Sequence, residues 1–238
     1  MEYKERTAAT QAQEYIQDLI QFRPATKFLP SQREIAKELG VSRNAVLHAL
    51  VKLKSADQVS TKERTGIVVN TKININMLGM ESMTAEINDR TIQINHLTTE
   101  LISVPKNLTN FFGPTVKKLI KISRVRLKNK IPLTYETTYF NAAKFKVFAE
   151  IDFTNKSLYA LLKDKYGIVL AYGKENIACS LANEKISEIL KVKKDTPLYR
   201  IDSFNYLEDA TPIEATTQYL IGSKFKYHFT AADIYTYL

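Results

Sequence analysis

The sequence predicts an α+β protein in two parts. The first is an N-terminal helix-turn-helix with a β-hairpin wing, and the second is a mostly antiparallel sheet carrying helices. Three observations predict this. Residues 29–53, LPSQREIAKELGVSRNAVLHALVKL, hold two short amphipathic helical patterns joined by a Gly-Val turn. Two short strand patterns with a basic tip follow at once. From residue 92 onward, β-branched and aromatic runs alternate with turn residues and short helical stretches. With 238 residues, 45% of them hydrophobic, the chain has material for one large domain or two small ones.

Taken in order, Thr7 to Gln21 places Ala12, Ile16, Leu19 and Ile20 at helical spacing, and Pro24 closes this helix. Ser31 with Glu34 is a capping box, in which each side chain satisfies a donor that a starting helix leaves open. Ile35, Ala36 and Leu39 form that helix's apolar stripe, and Gly40 suits its left-handed end. Val41 fills the turn and Ser42 caps the next helix, whose Val46, Ala49, Leu50 and Leu53 face inward. Its outward face reads Ser42, Arg43, Asn44, His48 and Lys52. These are short or cationic donors placed to enter a major groove, whereas an ordinary helical hairpin has no use for them there. Val59 to Thr61 and Ile67 to Val69 flank a tip of Lys62-Glu63-Arg64-Thr65-Gly66, a basic wing suited to phosphates or the minor groove.

Charge agrees with this order. The formal net charge is +9, and residues 23–64 carry nine basic against four acidic side chains. Residues 1–72 are therefore expected to be a DNA-binding domain, 73–82 a linker and 83–238 a second domain. In the second domain, strands are expected at 92–104, 117–127, 131–140, 174–181, 197–207 and 212–221. Helices are expected at Ser157 to Tyr166 and Asn183 to Leu190. Arg124 and Arg126 lie two apart and leave one face of one strand. Two adjacent guanidiniums repel unless an anion sits between them, so capture of a phosphate or carboxylate is one use. The other reading makes Arg124, Arg126, Glu136 and Glu214 exposed charges on the solvent side of a half-buried sheet.

Several classes fall away. The single cysteine, Cys179, forms no internal disulfide, lacks zinc-ligand partners and is expected to be an inert buried thiol. His48, His96 and His228 have no metal-ligand spacing, and no phosphate-binding Gly-rich loop or GxSxG occurs. No cofactor is expected. No apolar run approaches the roughly 20 residues that span a bilayer. The N-terminus has no signal-peptide core, so a cytoplasmic protein without a membrane partner is expected.

The run LPSQREIAKELGVSRNAVLHALVKL with the Gly66 wing resembles the DNA-binding domain of the GntR family of bacterial transcription regulators, over about residues 10–70. The resemblance implies DNA contacts by Arg33 and Arg43, supported by Ser31, Ser42 and Asn44, with Gly66 at the wing tip beside Lys62. Two departures bear on base readout. Ala45-Val46-Leu47-His48 stands where the family often has Thr-Val-Arg-Arg, and Arg64-Thr65-Gly66 where it often has Gly-x-Gly. Arg64 partly replaces the lost charge, and His48 is either a base contact or a surface residue.

The remaining segments resemble the UTRA domain of HutC-type members, over about residues 82–231. They are RVRLKNKIPLTYETTYF, SLYALLKDKYGI and TPLYRIDSFNYLEDATPIEATTQYLIGSKFKYHF. The resemblance implies a chorismate-lyase-like fold and a small anionic effector such as a sugar phosphate. Arg124 and Arg126, Ser157 and Tyr159, Glu136 and Glu214 would hold it, with Ser82 reaching the phosphate. Tyr219 is either a further pocket residue or core. The expected function is an effector-responsive regulator, a repressor by family likeness, that binds double-stranded operator DNA as a homodimer. Two alternatives stay open: a lyase-type enzyme on an anionic metabolite, and a constitutive DNA-binding protein with a vestigial pocket.

Overall fold

The computed structural model describes residues 7–22, 28–55, 58–62, 66–70, 72–76 and 91–228. The chain divides into two compact units, Met1–Lys72 and Ile73–Leu238. In the first, helix α1 (Ala8–Phe22) buries Ala12, Ile16 and Leu19. Helix α2 (Gln32–Leu39) starts at the capping box: the Glu34 amide donates to Ser31 Oγ at 3.3 Å, and the Ser31 amide to Glu34 Oε2 at 2.7 Å. Gly40, at φ +64°, ends it in the left-handed region and lets the chain reverse into Val41. Helix α3 (Arg43–Ser55) starts from Ser42, whose Oγ accepts from the Ala45 amide at 3.1 Å.

Strands β2 (Val59–Lys62) and β3 (Gly66–Val69) form the wing, in register from Val59↔Val69 to Lys62↔Gly66. A two-residue strand β1 (Phe28–Leu29), too short to carry a periodic signal, pairs with β3 on its other side. Ile16, Ile35, Val46, Leu50 and Leu53 meet Val59 and Ile67 in one core. Each such side chain contributes about 1.5–3 kcal/mol on burial. Three helices and a wing therefore hold α3 as one rigid element.

The second unit is built on a six-stranded antiparallel sheet. Its strands are β5 (Ile92–Ser103), β6 (Lys118–Lys128), β7 (Ile131–Asn141), β8 (Tyr172–Leu181), β9 (Pro197–Tyr206) and β10 (Pro212–Ile221). They lie in the order β5-β6-β7-β10-β9-β8. Asn129 and Lys130, both at positive φ, make the two-residue turn between β6 and β7, as the right-handed twist of a tight hairpin requires. Helix α4 (Thr109–Phe112) is a single turn before β6. Helix α5 (Leu158–Tyr166) runs from its Ser157 cap to Gly167 at φ +64°. Helix α6 (Glu184–Leu190) starts from Asn183, whose Oδ1 accepts from the Ile186 amide.

The two helices mark the two faces of the sheet. On one, Leu158 and Leu162 of α5 pack with Ile120, Ile122, Phe140, Phe145, Phe148 and Phe153. On the other, Ile186 and Leu190 of α6 pack with Val125, Tyr135, Leu198 and Ile221. Phe145, Phe148 and Phe153, on and beside a 3-10 turn at Lys146–Glu150, lie outside every element the periodicity predicts, yet all are fully buried.

Two expectations are corrected. The segment 73–82 is not wholly a linker, because Ile73–Asn76 is strand β4, paired in parallel with β11 (Phe225–His228). Ile73 and Ile75 supply the apolar side chains that bury it against Phe225 and Leu220. Residues 77–82 lie outside the described residues. Cys179 is exposed, because β8 is the last strand of the sheet and its side chains lack a covering layer.

The aromatic cluster under α5 sets the stability of the second unit. Phe148 meets Phe140 edge-on at 5.0 Å between centroids and lies 5.6 Å from both Phe145 and Phe153. Phe148→Ala is expected to cost about 3–5 kcal/mol. A urea titration followed by circular dichroism checks this, and a loss below 1 kcal/mol would show that the cluster collapses around the gap.

Candidate functional site

In the first unit, alternation around α3 separates two faces. Ala45, Val46, Ala49 and Leu50 are buried, while Arg43, Asn44, Leu47, His48, Val51 and Lys52 are exposed. Arg33 of α2 is exposed as well. The Ser31 and Ser42 oxygens accept helix-capping bonds, so each hydroxyl proton is left to donate outward. Gly66, at φ +87°, begins β3 opposite the Lys62 backbone, a conformation that a side chain would strain. Arg64 lies outside the described residues. Arg33, Arg43 and Asn44 are thus presented on rigid helices, with apolar Leu47 beside His48 where two further cations were missing from the sequence.

In the second unit, register decides which polar residues meet. Arg124 of β6 lies opposite Glu136 of β7, which lies opposite Gln218 of β10. Arg126 stands across from Thr134, and Thr138 across from Thr216. All of these, with Glu214, point to the face that α5 covers, because the side-chain period of a strand is two. The face is polar but not solvated: Arg124 is 3% exposed, Arg126 4%, Glu136 2% and Glu214 3%. That excludes a solvent-side sheet face for these four charges.

The anion between the two guanidiniums is the protein's own. Glu136 is ion-paired with Arg124 through Oε1 and with Arg126 through Oε2, the latter at 3.3 Å. Arg124 Nη1 also donates to the Lys156 carbonyl at 3.0 Å, which ties the sheet to the entry of α5. Ser157, Leu158 and Tyr159 line the cleft from that entry, facing Arg124, Arg126, Glu136, Thr138, Glu214, Thr216 and Gln218. The cleft leaves about 40 Å³ of space. That holds no more than a few waters.

The far end of the cleft is rich in acceptors. Glu214 Oε1 accepts from the Thr216 hydroxyl at 2.7 Å, and the Tyr159 hydroxyl accepts from Asn205 Nδ2 at 3.1 Å. Glu214 Oε2 and Gln218 Oε1 are buried with no hydrogen-bond partner among the described residues, as is the donor Arg124 Nε. Buried polar atoms left open in this way are costly and point to a missing partner.

Burial opposes ionisation of Glu136, but Arg124 and Arg126 outweigh it and hold that carboxyl below its ordinary range. Glu214 lacks such a pair, and burial drives it up to about 7. Burial, with Glu214 nearby, also raises the Tyr159 phenol, which stays a neutral donor.

Tyr219 is corrected. It sits on the opposite sheet face, stacked with Tyr135 at 6.4 Å between centroids and packed among the α6 contacts. One residue along β10, Gln218 holds the position in the cleft that Tyr219 was expected to take. Ser82 lies outside the described residues. The sequence reading missed Thr138, Thr216, Gln218 and Leu158. Their parity with Arg124 and Glu136 was visible, but parity selects a face only once the strands are paired. Among the described residues, no group of three or more His, Cys, Asp or Glu side chains could hold a metal ion. No helix among them is long and apolar enough to cross a membrane.

The two carboxylates impose opposite pH dependences. Glu214 binds its proton more tightly when folded, so its contribution is complete below the ordinary value of 4.5 and is lost as pH rises through about 7. Glu136 contributes above 4.5, and that contribution is lost as pH falls through its lowered folded value. Glu214→Gln is expected to be more stable than the parent at pH 8, by up to about 3 kcal/mol, and to match it near pH 5. Urea unfolding at the two pH values measures this, and an unchanged difference would place the titration elsewhere.

Comparison with known proteins finds a family match for each of the two units. Residues 10–69 match the bacterial regulatory proteins of the gntR family, and residues 88–226 match the UTRA domain. The HTH-type transcriptional repressor NagR of Bacillus subtilis is 27% identical over 205 residues, covering 84% of this chain and 83% of NagR. The repressor PhnF of Mycolicibacterium smegmatis is 24% identical, covering 83% and 82%. The crystal structure of PhnF superposes with a TM-score of 0.66, covering 86% of this chain and 91% of that one. That of YydK from Bacillus subtilis, a possible transcriptional regulator, has a TM-score of 0.56 at 16% identity, covering 95% and 100%. With a UTRA match across more than half of its length behind a matching N-terminal region, this chain belongs to the HutC-type, UTRA-containing branch of the GntR family of bacterial regulatory proteins.

Proposed function

We propose that this regulator represses transcription in the cytoplasm by holding operator DNA as a homodimer, and lets go when a small anionic effector enters the cleft of the second unit. The observation that carries the reading is the buried pair Arg124 and Arg126, facing the unpartnered acceptors Glu214 Oε2 and Gln218 Oε1. An effector that suits both ends has an anionic group for the guanidiniums and hydroxyl or amino donors for the acceptors. A sugar phosphate has both. Ser157 and Tyr159, at the N-terminal turn of α5, add donors beside the anion, where helix amides also favour negative charge.

DNA contact is assigned to Arg33, Arg43, Asn44 and His48, with Ser31, Ser42 and the wing residues Lys62, Arg64 and Gly66 in support. One α3 helix offers too little surface for typical operator affinity, so two copies should read an inverted repeat with half-sites about one turn of DNA apart or closer. Effector and operator then oppose each other through a coupling free energy, typically about 1–3 kcal/mol. NagR and PhnF carry the name repressor, which supports the direction of control.

Two substitutions separate the two ends of this chain of events. Arg43→Ala is expected to weaken specific operator binding by roughly 1–3 kcal/mol if it reads a base. An equal loss on random DNA would mark it as a phosphate contact, and no loss on either would remove α3 from the interface. Arg126→Ala leaves Arg124 and Glu136 as a neutral pair. It is expected to stay folded and on the operator, while needing at least tenfold more effector for release. Mobility shift with a panel of sugar phosphates measures this, with circular dichroism as the folding control. A folded Arg126→Ala protein released at the parental effector concentration would take Arg126 out of the site.

A further inference from the structure

The cleft contains an anion of its own, in the position an effector's anion would need. Glu136 reaches Arg124 with one oxygen and Arg126 with the other, and all three side chains are buried. The cleft leaves about 40 Å³ beside that carboxylate, and the guanidinium nitrogens that face it are already taken up by Glu136. An anion that is to take those same nitrogens on both arginines must move Glu136 off at least one guanidinium. We propose that Glu136 is an internal competitor for the anion site, a carboxylate that keeps bare inorganic phosphate out and yields only to a ligand that brings a donor for it. The proposal rests on reading the cleft as an anion site and adds to that reading how the site selects.

The displaced carboxylate has somewhere to go. Gln218 lies directly across the β7–β10 ladder from Glu136, on the same sheet face, where opposed side chains stand about 5 Å apart. Its Oε1 has no partner among the described residues, so turning the amide breaks no hydrogen bond of that oxygen. Turned toward Glu136, the amide nitrogen gives the carboxylate one donor. A carboxylate that has lost a guanidinium needs more than one, because an incompletely paired buried charge is expensive. A sugar hydroxyl or amine supplies the second. The P–OH groups of inorganic phosphate lie within the anion and do not extend to a carboxylate drawn away toward Gln218, so phosphate gains two guanidiniums only by leaving Glu136 short of partners.

This arrangement makes a quantitative statement. While Glu136 occupies the guanidiniums, the site that can bind an anion is a minor state, and apparent affinity falls by the fraction populated. Removing the carboxylate should recover that factor for a ligand without donor arms. Were Glu136 instead only a charged neighbour of the site, neutralising it would raise phosphate affinity as well by relieving repulsion, but Glu136→Asp, which keeps the charge, would bind phosphate no more tightly than the parent.

The probe is inorganic phosphate, titrated calorimetrically into the full-length chain in chloride buffer. Four proteins are compared: the parent, Glu136→Gln, Arg126→Ala and the double variant. Glu136→Gln is expected to bind phosphate at least tenfold more tightly than the parent, and the double variant to lose that gain. Equal or weaker binding by Glu136→Gln, with phosphate binding still dependent on Arg126, overturns the competitor and leaves the anion site standing. Phosphate binding that ignores Arg126, or no binding by any of the four, overturns the anion site and the competitor together.

Because Glu136→Gln leaves two buried guanidiniums without a carboxylate, its folding is checked by melting in chloride and in phosphate. A larger rise with phosphate than the parent shows is the expected result. Glu136→Asp keeps the charge but draws it back from the arginines. It is titrated beside the other four and expected to bind phosphate more tightly than the parent, a gain that loss of charge does not explain. Affinity at or below the parental value would overturn the proposal.

Discussion

The buried group of Arg124, Glu136 and Arg126 is the constraint around which the second unit is organised. Three charges held at 2–4% exposure carry a desolvation penalty of several kcal/mol each, which attraction offsets only when the geometry is tight. The sheet supplies that geometry through its register, since Arg124 and Glu136 are directly opposed across β6 and β7. The cover comes from α5 and the phenylalanines beside it. The Arg124 bond to the Lys156 carbonyl couples the charges to the start of that cover. A change in how Glu136 is shared between the arginines is therefore felt first where α5 begins.

The group carries a net single positive charge, and its surroundings are arranged around that. Glu214 is nearby, and there burial outweighs the Thr216 hydrogen bond and the charge of Arg124 and raises it to about 7. Near neutral pH it is divided between acid and carboxylate, able to donate in one form and to accept in the other. Thr138 and Thr216 hydrogen-bond each other at 3.1 Å and fill the space between the charged ends with hydroxyls rather than methyl groups. Such a cleft is narrow, polar and incompletely satisfied. Those properties suit a site that waits for a ligand better than one that only stabilises a fold.

The first unit follows a different logic. Its core is apolar and its polar residues are outside, with the exposed side of α3 free of structural duty. Much of its local structure comes from interactions three residues apart, such as Ser31 with Glu34 and Ser42 with Ala45. This explains why most of it was legible in advance. The capping box, the Gly40 turn, the inward positions of α3 and the wing strands all follow from neighbours in the chain. The exception, β1, is two residues long and exists only because β3 is beside it.

In the second unit the sequence determined the elements but not their partners. Strand and helix positions, the Asn129-Lys130 turn, the Ser157 and Asn183 caps and the shared face of Arg124 and Arg126 were all readable, because each depends on local periodicity, capping or turn chemistry. Which strands are neighbours depends on burial summed over the whole sheet, and no local signal encodes it. Tertiary structure alone therefore decided that Glu136 stands between the two arginines, and that Gln218 rather than Tyr219 faces them. It alone made β8 an edge that exposes Cys179, and turned Ile73–Asn76 from expected linker into a strand. The chain carries the charges in its sequence. Only the folded sheet determines which of them meet, because a shift of one residue in register would send each to the opposite face.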